Sequence, residues 1–320
     1  MKIVITGSIA FDYLMSFPGN FLDHIKPDRI QKLSLSFLVD KMVKHRGGCA
    51  PNIAYTLALL GEHPMVMGTV GQDFDEYRRW LEAKGVDTSA IRVIPEVFTA
   101  SFFANTDENQ NQIASFYTGA MAYARTLSFY DFDFNVDLAI ISPNDPEAMD
   151  KYPSECKALG IPYIYDPSQQ IVRTDPTSLR NGVEGADILI VNDYEYELLK
   201  DHTGLSDNEI HDSVKRAVII TLGAEGALIW ADKKINIPAV APDQLLDPTG
   251  VGDAFRAGLI KGIALGLPWS AAGRLGSLAA TYVLETTSAQ AHYYTMAEFV
   301  TRYISVFGED EATAALMTSH

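Results

Sequence analysis

An α/β fold on a mostly parallel sheet is what this sequence predicts, and three observations carry the prediction. From about residue 120 onward short β-branched runs alternate with helical patterns. Two stretches nearer the start have an antiparallel character instead, and a glycine-rich turn opens an apolar helix near residue 250. At ~150 residues per domain, 320 residues suffice for one large domain with an insert and a substantial core. Hydrophobic residues make up 47% and charged residues 21% of the chain, which sets aside disordered, collagenous and coiled-coil classes.

The elements follow in order. KIVITG (2–7) reads as a strand. Residues 51–60 read as a helix with Pro51 in the first turn and Gly61 just past the end. Asp73 and Glu76 have the spacing of a capping box. They would open a second helix that puts Tyr77, Trp80 and Leu81 on one face and stops at Gly85. Residues 98–119 alternate apolar and polar positions in two runs joined by Asp107, Glu108 and Asn109, a hairpin with one wet face. DLAIIS (137–142), PYIYD (162–166), DILIVND (187–193) and AVIITLG (217–223) read as strands covered on both faces, with helices over 146–159 and 194–200. Residues 12–48 fit this rhythm poorly. With 97–119 they predict a small β-sheet lid inserted in the N-terminal half of a single domain over 1–320, whose α/β core takes roughly 1–11, 49–96 and 120–320.

Charge and motif content narrow the function. Lys plus Arg number 25 and Asp plus Glu 41, a net charge of −16 that repels nucleic-acid phosphates and anionic lipid. Small-molecule partners are expected, with no nucleic acid and no membrane. No apolar run reaches the ~20 residues of a membrane span. The opening MKIVITGSIAFD has no segment of signal-peptide length, so a cytoplasmic chain is expected. Cys49 and Cys156 are too few for a disulfide framework and read as inert packing residues. No G-x-G-x-x-G, G-x-x-x-x-G-K-[ST], H-E-x-x-H, G-x-S-x-G or C-x-x-C occurs, and the histidines do not cluster at metal-ligand spacing. Dehydrogenase, P-loop, zinc-hydrolase and serine-hydrolase readings lose their usual support.

Open α/β sheets bind ligands beyond the carboxyl ends of their strands, where Asp12, Asp166, Asn192 and the Thr221-Leu222-Gly223 turn fall. The strongest local signal is Asp247-Pro248-Thr249-Gly250-Val251-Gly252-Asp253. Glycines at a loop-to-helix junction let the amides of Gly250, Val251 and Gly252 approach an anion, with the helix dipole behind them. Asp253 in the first turn is placed to take a proton from a substrate hydroxyl. An isolated G-x-G-D would read as a tight turn, but the helix that follows is apolar almost all round and hence buried, which favours function. Gly47-Gly48-Cys49-Ala50-Pro51-Asn52 is a second glycine-rich entry to a helix, with Asn52 either a ligand contact or a local backbone partner. Thr221-Leu222-Gly223-Ala224-Glu225-Gly226 reads by itself as a hairpin turn. Asn192 and Glu195 suit either a hydrated Mg²⁺ or a helix N-cap.

Taken in order, Asp12, GGCAPN (47–52), NDYE (192–195), TLGAEG (221–226) and DPTGVGD (247–253) resemble the ribokinase-like (PfkB) family of sugar and nucleoside kinases over essentially the whole chain. The last motif departs from the usual D-T-x-G-A-G-D at Pro248 and Val251. Further segments, among them GSIAFDYLMSFPG, QIASFYTGAM and DPTGVGDAFRAG, resemble the bacterial adenosine kinases of the mycobacterial type. The resemblance implies a ribokinase-like three-layer core that transfers phosphoryl from ATP, with Mg²⁺, to the 5′-hydroxyl of adenosine in purine salvage. Asp253 would be the base, and Gly250, Val251 and Gly252 the anion hole. Asp12, Gly48 and Asn52 would grip the ribose, Phe102 and Phe116 would sandwich the purine, and Ser8, Ser36 and Gln169 would surround the nucleoside. Asn192, Thr221, Gly223 and Gly226 would hold ATP, with Asn192 and Glu195 meeting Mg²⁺ through water. It also implies a homodimer through the lid sheet, crossed by Phe37, and admits K⁺ as an activator. Two alternatives stand beside it: the same chemistry on a free sugar or another nucleoside, and a non-catalytic nucleotide-binding regulatory protein.

Overall fold

The structure is a computed structural model that describes residues 1–25 and 34–318; part of the expected lid stretch, 26–33, lies outside the described residues. Its strands are β1 (Ile3–Thr6), β2 (Ala10–Ser16), β3 (Lys41–Gly47), β4 (Met65–Val70), β5 (Ile91–Val93), β6 (Ala100–Thr106), β7 (Gln112–Tyr117), β8 (Leu138–Ile141), β9 (Tyr163–Tyr165), β10 (Ile188–Asn192), β11 (Ala217–Thr221), β12 (Ala227–Trp230) and β13 (Lys234–Ile237). Nine of them form one sheet, β13-β12-β11-β10-β9-β8-β1-β4-β5. It is parallel from β11 to β5, with antiparallel β12 and β13 at one edge. This is the ribokinase-like α/β architecture.

The period-2 alternation of strand side chains is visible in how the sheet fills its two layers. Ile3, Ile5, Ile140, Ile164, Ile188, Ile190 and Ile219 enter one core together with Ile53, Leu57 and Phe255 from helices Cys49–Leu59 and Val251–Ala264. Their neighbours Val4, Ile141, Tyr165, Leu189, Val191 and Val218 enter the opposite core, against Tyr152, Leu179 and Leu199 from helices Pro146–Leu159, Pro176–Val183 and Asp193–Thr203. A sheet covered on both faces needs continuous apolar runs, which is what made these strands legible.

The chain runs from β1 outward to β4 and β5, then returns at β8 and proceeds the other way. The topological switch point therefore lies between β1 and β8, and the crevice beyond their carboxyl ends is where a ligand is expected.

The second sheet, β3-β2-β6-β7, is small and separate. Its register sets His45, Asp12, Phe102 and Phe116 in one cross-strand row, so these side chains share a face. The hairpin turn is tied by Asp107, whose carboxylate accepts the Phe21, Asn109 and Asn111 amides at 3.0, 2.9 and 2.8 Å. The expectation of one wet face fails at β7, where all six residues are exposed. It is an edge strand with no helix layer over it among the described residues.

Two other expectations are corrected. Asp73 and Glu76 form no capping box: the helix begins at Asp75 with Phe74 at its N-cap, and Asp73 instead accepts the Thr99 amide and hydroxyl at 2.8 and 2.7 Å. A tertiary partner at the root of β6 outcompetes the local one. The helix at 194–200 extends over Asp193–Thr203 and stops at Gly204 in the left-handed region, φ 67°, the usual C-terminal device. No helix among the described residues is long and apolar enough to cross a membrane.

Candidate active site

The helix Val251–Ala264 delivers its N-terminus to the crevice. Gly250 is its N-cap with φ 81°, left-handed, and a Cβ there would stand 2.4 Å from Ala289 Cβ. Only glycine fits both conditions. Thr249 N–H donates to Asp247 Oδ1 at 2.8 Å, closing the turn. Of the three amides expected to face an anion, that of Val251 makes a long turn bond to the Pro248 carbonyl at 3.4 Å. Those of Gly250 and Gly252 have no protein acceptor among the described residues.

Asp253 stands in the first turn, half-buried. Asn52 Nδ2 donates to its Oδ2 at 2.8 Å. Burial pushes its carboxyl up to about 6, against the pull of the Arg256 guanidinium and the Asn52 bond. A carboxylate poised there is ionised at neutral pH and still basic enough to accept a proton.

Arg256 lies one turn further along the same helix. Helical side chains lean toward the N-terminus, so its guanidinium folds back over Gly252, where a Cβ would come 2.7 Å from Nη1. Nη2 donates to Asp166 Oδ1 at 2.5 Å, a pair buried on both sides. Burial drives the Asp166 carboxyl up, and the guanidinium opposes it. The motif glycines thus leave room both for an anion and for a cation beside it.

On the opposite wall, Gly48 caps the Cys49–Leu59 helix with φ 94°, and a Cβ on it would lie 2.4 Å from the Ser8 carbonyl. Ser8 Oγ accepts the Cys49 amide at 3.2 Å. Asp12 is also pushed up to about 6, by burial first and by Asp247 second; it crowds Gly47, where a Cβ would come 2.5 Å from its Oδ2. Burial and the Asp253 and Asp166 carboxylates hold the Cys49 thiol far above its ordinary range. Cys156 is buried in the core with its thiol likewise raised by burial.

Thr221, Gly223 and Gly226 meet Val251, Gly252 and Phe255 around a cleft of about 130 Å³ with an apolar wall of Val240, Ala280 and Leu284. The TLGAEG turn is a hairpin, as the residues alone suggest, and it also borders this cleft. Asn192 and Glu195 form a complete capping box: Asn192 Oδ1 accepts the Glu195 amide at 2.7 Å, and Glu195 Oε2 accepts the Asn192 amide at 2.8 Å. Glu195 Oε1 takes the Ser168 hydroxyl at 3.0 Å. Ser36 and Gln169 are exposed. Phe37 packs within its own chain, 5.0 Å from Phe17 and 4.9 Å from Phe21 between ring centroids.

Sequence reading missed Gln290, Tyr77 and Arg256 as members of the site. Gln290 Nε2 donates to Asn52 Oδ1 at 2.7 Å and to Tyr77 Oη at 2.5 Å. A basic residue in the interior of a mostly apolar helix, four positions after Gly252, was a signal for Arg256. Gln290 lies 238 residues from Asn52 in no glycine-rich or capping pattern, and nothing local marks it.

A glycine-lined helix N-terminus, a poised carboxylate and an adjacent cleft at the switch point of an α/β sheet are the parts of a phosphoryl-transfer enzyme. Residues 13–295 match the pfkB family of carbohydrate kinases. The chain belongs to that family, and its activity is ATP-dependent phosphoryl transfer. Among solved structures it is similar to a Burkholderia thailandensis nucleoside kinase in complex with inosine, with 39% identity, TM-score 0.85, and 96% and 98% of the two chains covered. The same kinase is known in complex with ADP-inosine. A nucleoside kinase of Methanocaldococcus jannaschii superimposes with TM-score 0.85 at 27% identity over 95% and 99% of the chains. A curated nucleoside kinase of Methanothermobacter thermautotrophicus is 28% identical over 96% of each chain.

Proposed function

We propose that the chain phosphorylates the 5′-hydroxyl of a purine nucleoside, adenosine or inosine, giving the nucleoside monophosphate and ADP. The observation that carries this reading is the placement of Asp253 beside a helix N-terminus with free amides, joined through Asn52, Gln290 and Tyr77 to Gly47 at the end of β3, in the sheet whose one face carries Asp12, Phe102 and Phe116 in a row. Asp253 takes the hydroxyl proton as that oxygen attacks the γ-phosphorus, the bond to the β–γ bridging oxygen breaks, and ADP leaves. The Gly250 and Gly252 amides receive charge on the transferring group. Asp12, Gly48 and Asn52 suit a ribose diol, and Phe102 and Phe116 offer faces for a base. Ser8, Ser36 and Gln169 would add polar contacts on closure. A bare sugar has nothing to stack, which favours a nucleoside, and the inosine complexes of the Burkholderia relative bring inosine level with adenosine.

The donor ATP would lie along Asn192, Thr221, Gly223 and Gly226, with its base against the apolar wall of the cleft. No group of three or more His, Cys, Asp or Glu among the described residues forms a metal cage. The donor set fits only an ion that keeps its waters, as Mg²⁺ does. Glu195, with Asn192 at its cap, would meet it through water, and the ion would supply charge neutralisation on the phosphates. The face of the small sheet opposite Asp12 exposes Met42, Phe103, Ile113 and Tyr117, an apolar patch that suits a second copy of the chain.

The test is ADP release with ATP and Mg²⁺ against adenosine, inosine, guanosine, ribose and fructose, with a blank lacking acceptor and with K⁺ replaced by Na⁺ in parallel. Turnover on a purine nucleoside far above both sugars is expected. Preference for a sugar would overturn the assignment of the small sheet, and silence on all five would favour a regulatory protein.

A further inference from the structure

Asp253 is the end of a chain of hydrogen bonds whose other end is a backbone carbonyl. Tyr77 Oη donates to the Gly47 carbonyl at 3.0 Å. A carbonyl can only accept, so the single Tyr77 hydroxyl proton is committed, and toward Gln290 the oxygen must accept. Gln290 Nε2 supplies that proton at 2.5 Å and uses its second on Asn52 Oδ1 at 2.7 Å. With its oxygen occupied, Asn52 has only its amide nitrogen to turn to Asp253, at 2.8 Å. Each member is fixed by the one before, and all but the last are buried. Gln290 Oε1 is left without a partner among the described residues, a cost that this polarity explains, since turning the amide over would break both donations.

We propose that Gln290, held by Tyr77, is a positioning residue that forces Asn52 to present a donor to Asp253 and so keeps the base ionised. The claim rests on Asp253 being the base. A carboxylate that receives a hydrogen bond is stabilised in its charged form, while a carbonyl in the same place would favour the protonated form. The relay also begins at Gly47, the last residue of β3, so the root of the small sheet and the base are joined by one set of bonds. Among the described residues the charged and titratable groups around Asp253 are Arg256 on its own helix, Asp166 after β9, and the Cys49 thiol on the facing helix. Asp12 and Arg46 stand nearer Tyr77. None of them is altered by the substitutions below.

The experiment compares the acid limb of kcat/KM, at saturating ATP and Mg²⁺, for the wild type, Gln290→Met and Tyr77→Phe, each with its Tm. Gln290→Met is close in shape and uncharged, and leaves Asn52 free to turn over. The relay predicts that its acid limb moves up by about half a unit or more, with KM for ATP unchanged. Tyr77→Phe should move the limb the same way by less, because Gln290 keeps one of its two bonds. Gln290→Glu, which accepts from Asn52 and obliges it to offer oxygen to Asp253, should move it furthest. If Gln290 only packs, Gln290→Met and Tyr77→Phe will lower Tm while the limb stays at the wild-type pH, and the relay is wrong. Should Gln290→Met fail to fold, Tyr77→Phe alone decides. Asp253→Asn separates the two claims: wild-type turnover in that variant removes the base assignment itself, whereas loss of turnover there with unmoved limbs elsewhere removes only the relay.

Discussion

The two ends of the proposed nucleoside site are built in opposite ways. The wall that carries Asp253 is set in a helix buried on nearly all sides from Ala254 to Gly262, and Asn52, Gln290, Arg256 and Asp166 are linked to it or crowd around it at the distances given above. The wall that carries Phe102 and Phe116 is a four-stranded sheet whose edge strand is exposed along its whole length, with Phe116 itself 43% exposed. Reacting groups must be held to fractions of an ångström, while a wall that admits and releases a substrate must be able to move. Chemistry on the rigid wall and selectivity on the exposed one is the division this difference teaches.

The largest way to break that division is Asp253→Asn. It should lower kcat by at least ~10²-fold, the lower range for loss of a general base, with ATP binding retained in a calorimetric titration. A variant that still turns over like the wild type would leave the rigid wall without its chemistry.

Second in size is the pH response. Asp253 and Asp12 both sit at about 6, and the proposed function needs both as carboxylates. The profile of kcat/KM should be flat above pH 7 and fall below pH 6, by about tenfold per unit if one group governs and more steeply if both do. A limb near pH 4 would show that neither group is raised in solution.

Gly226→Ala probes the donor side. Gly226 has φ 95° and a Cβ there would stand 2.0 Å from the Ile237 carbonyl, so the turn must shift at a strain of about 1–3 kcal/mol. We expect KM for ATP to rise about tenfold, as about 1.4 kcal/mol of lost binding would give, with KM for the nucleoside unchanged. Parallel changes in both constants would mean the turn supports the whole site rather than the donor.

The smallest effect is on stability. Asp253 has a folded value of about 6 against an ordinary 3.8, so the folded state binds this proton more tightly than the unfolded one. The favourable contribution is complete below about pH 4 and is lost as pH rises through 6. At pH 7.5 the ionised carboxylate therefore works against folding, and Asp253→Asn should raise Tm. For a half-buried group, discounted for screening, about 1 kcal/mol is reasonable, or about 2 °C in a chain of this size. Calorimetry at pH 7.5 and pH 4 checks the sign: the gain should vanish at the lower pH.

What the sequence revealed follows the same division. The parallel core was legible because strands such as β8 and β10 must be apolar on both faces, and the 146–159 helix because Pro146 and Gly160 mark its two ends. The motif glycines were legible because a backbone approached that closely admits no Cβ. The start of the Asp75–Ala83 helix was misread because Asp73 had a better partner in Thr99, far away in sequence. Gln290 and Tyr77 were invisible as site members for a related reason: a hydrogen-bond chain assembled from four separate segments leaves no spacing to read. The row of Asp12, Phe102 and Phe116 needed the register of three strands, which alternation alone does not set.

The most direct measurement is a steady-state series of Phe102→Ala and Phe116→Ala with adenosine and with inosine, reading kcat and KM separately. The account predicts KM for the nucleoside raised about tenfold in each, in keeping with ~1–3 kcal/mol for a base stacked on an aromatic ring, with kcat within a factor of about two to three. A loss confined to kcat, with KM for the nucleoside unmoved, would place these rings in the chemical step and contradict the division between the two walls.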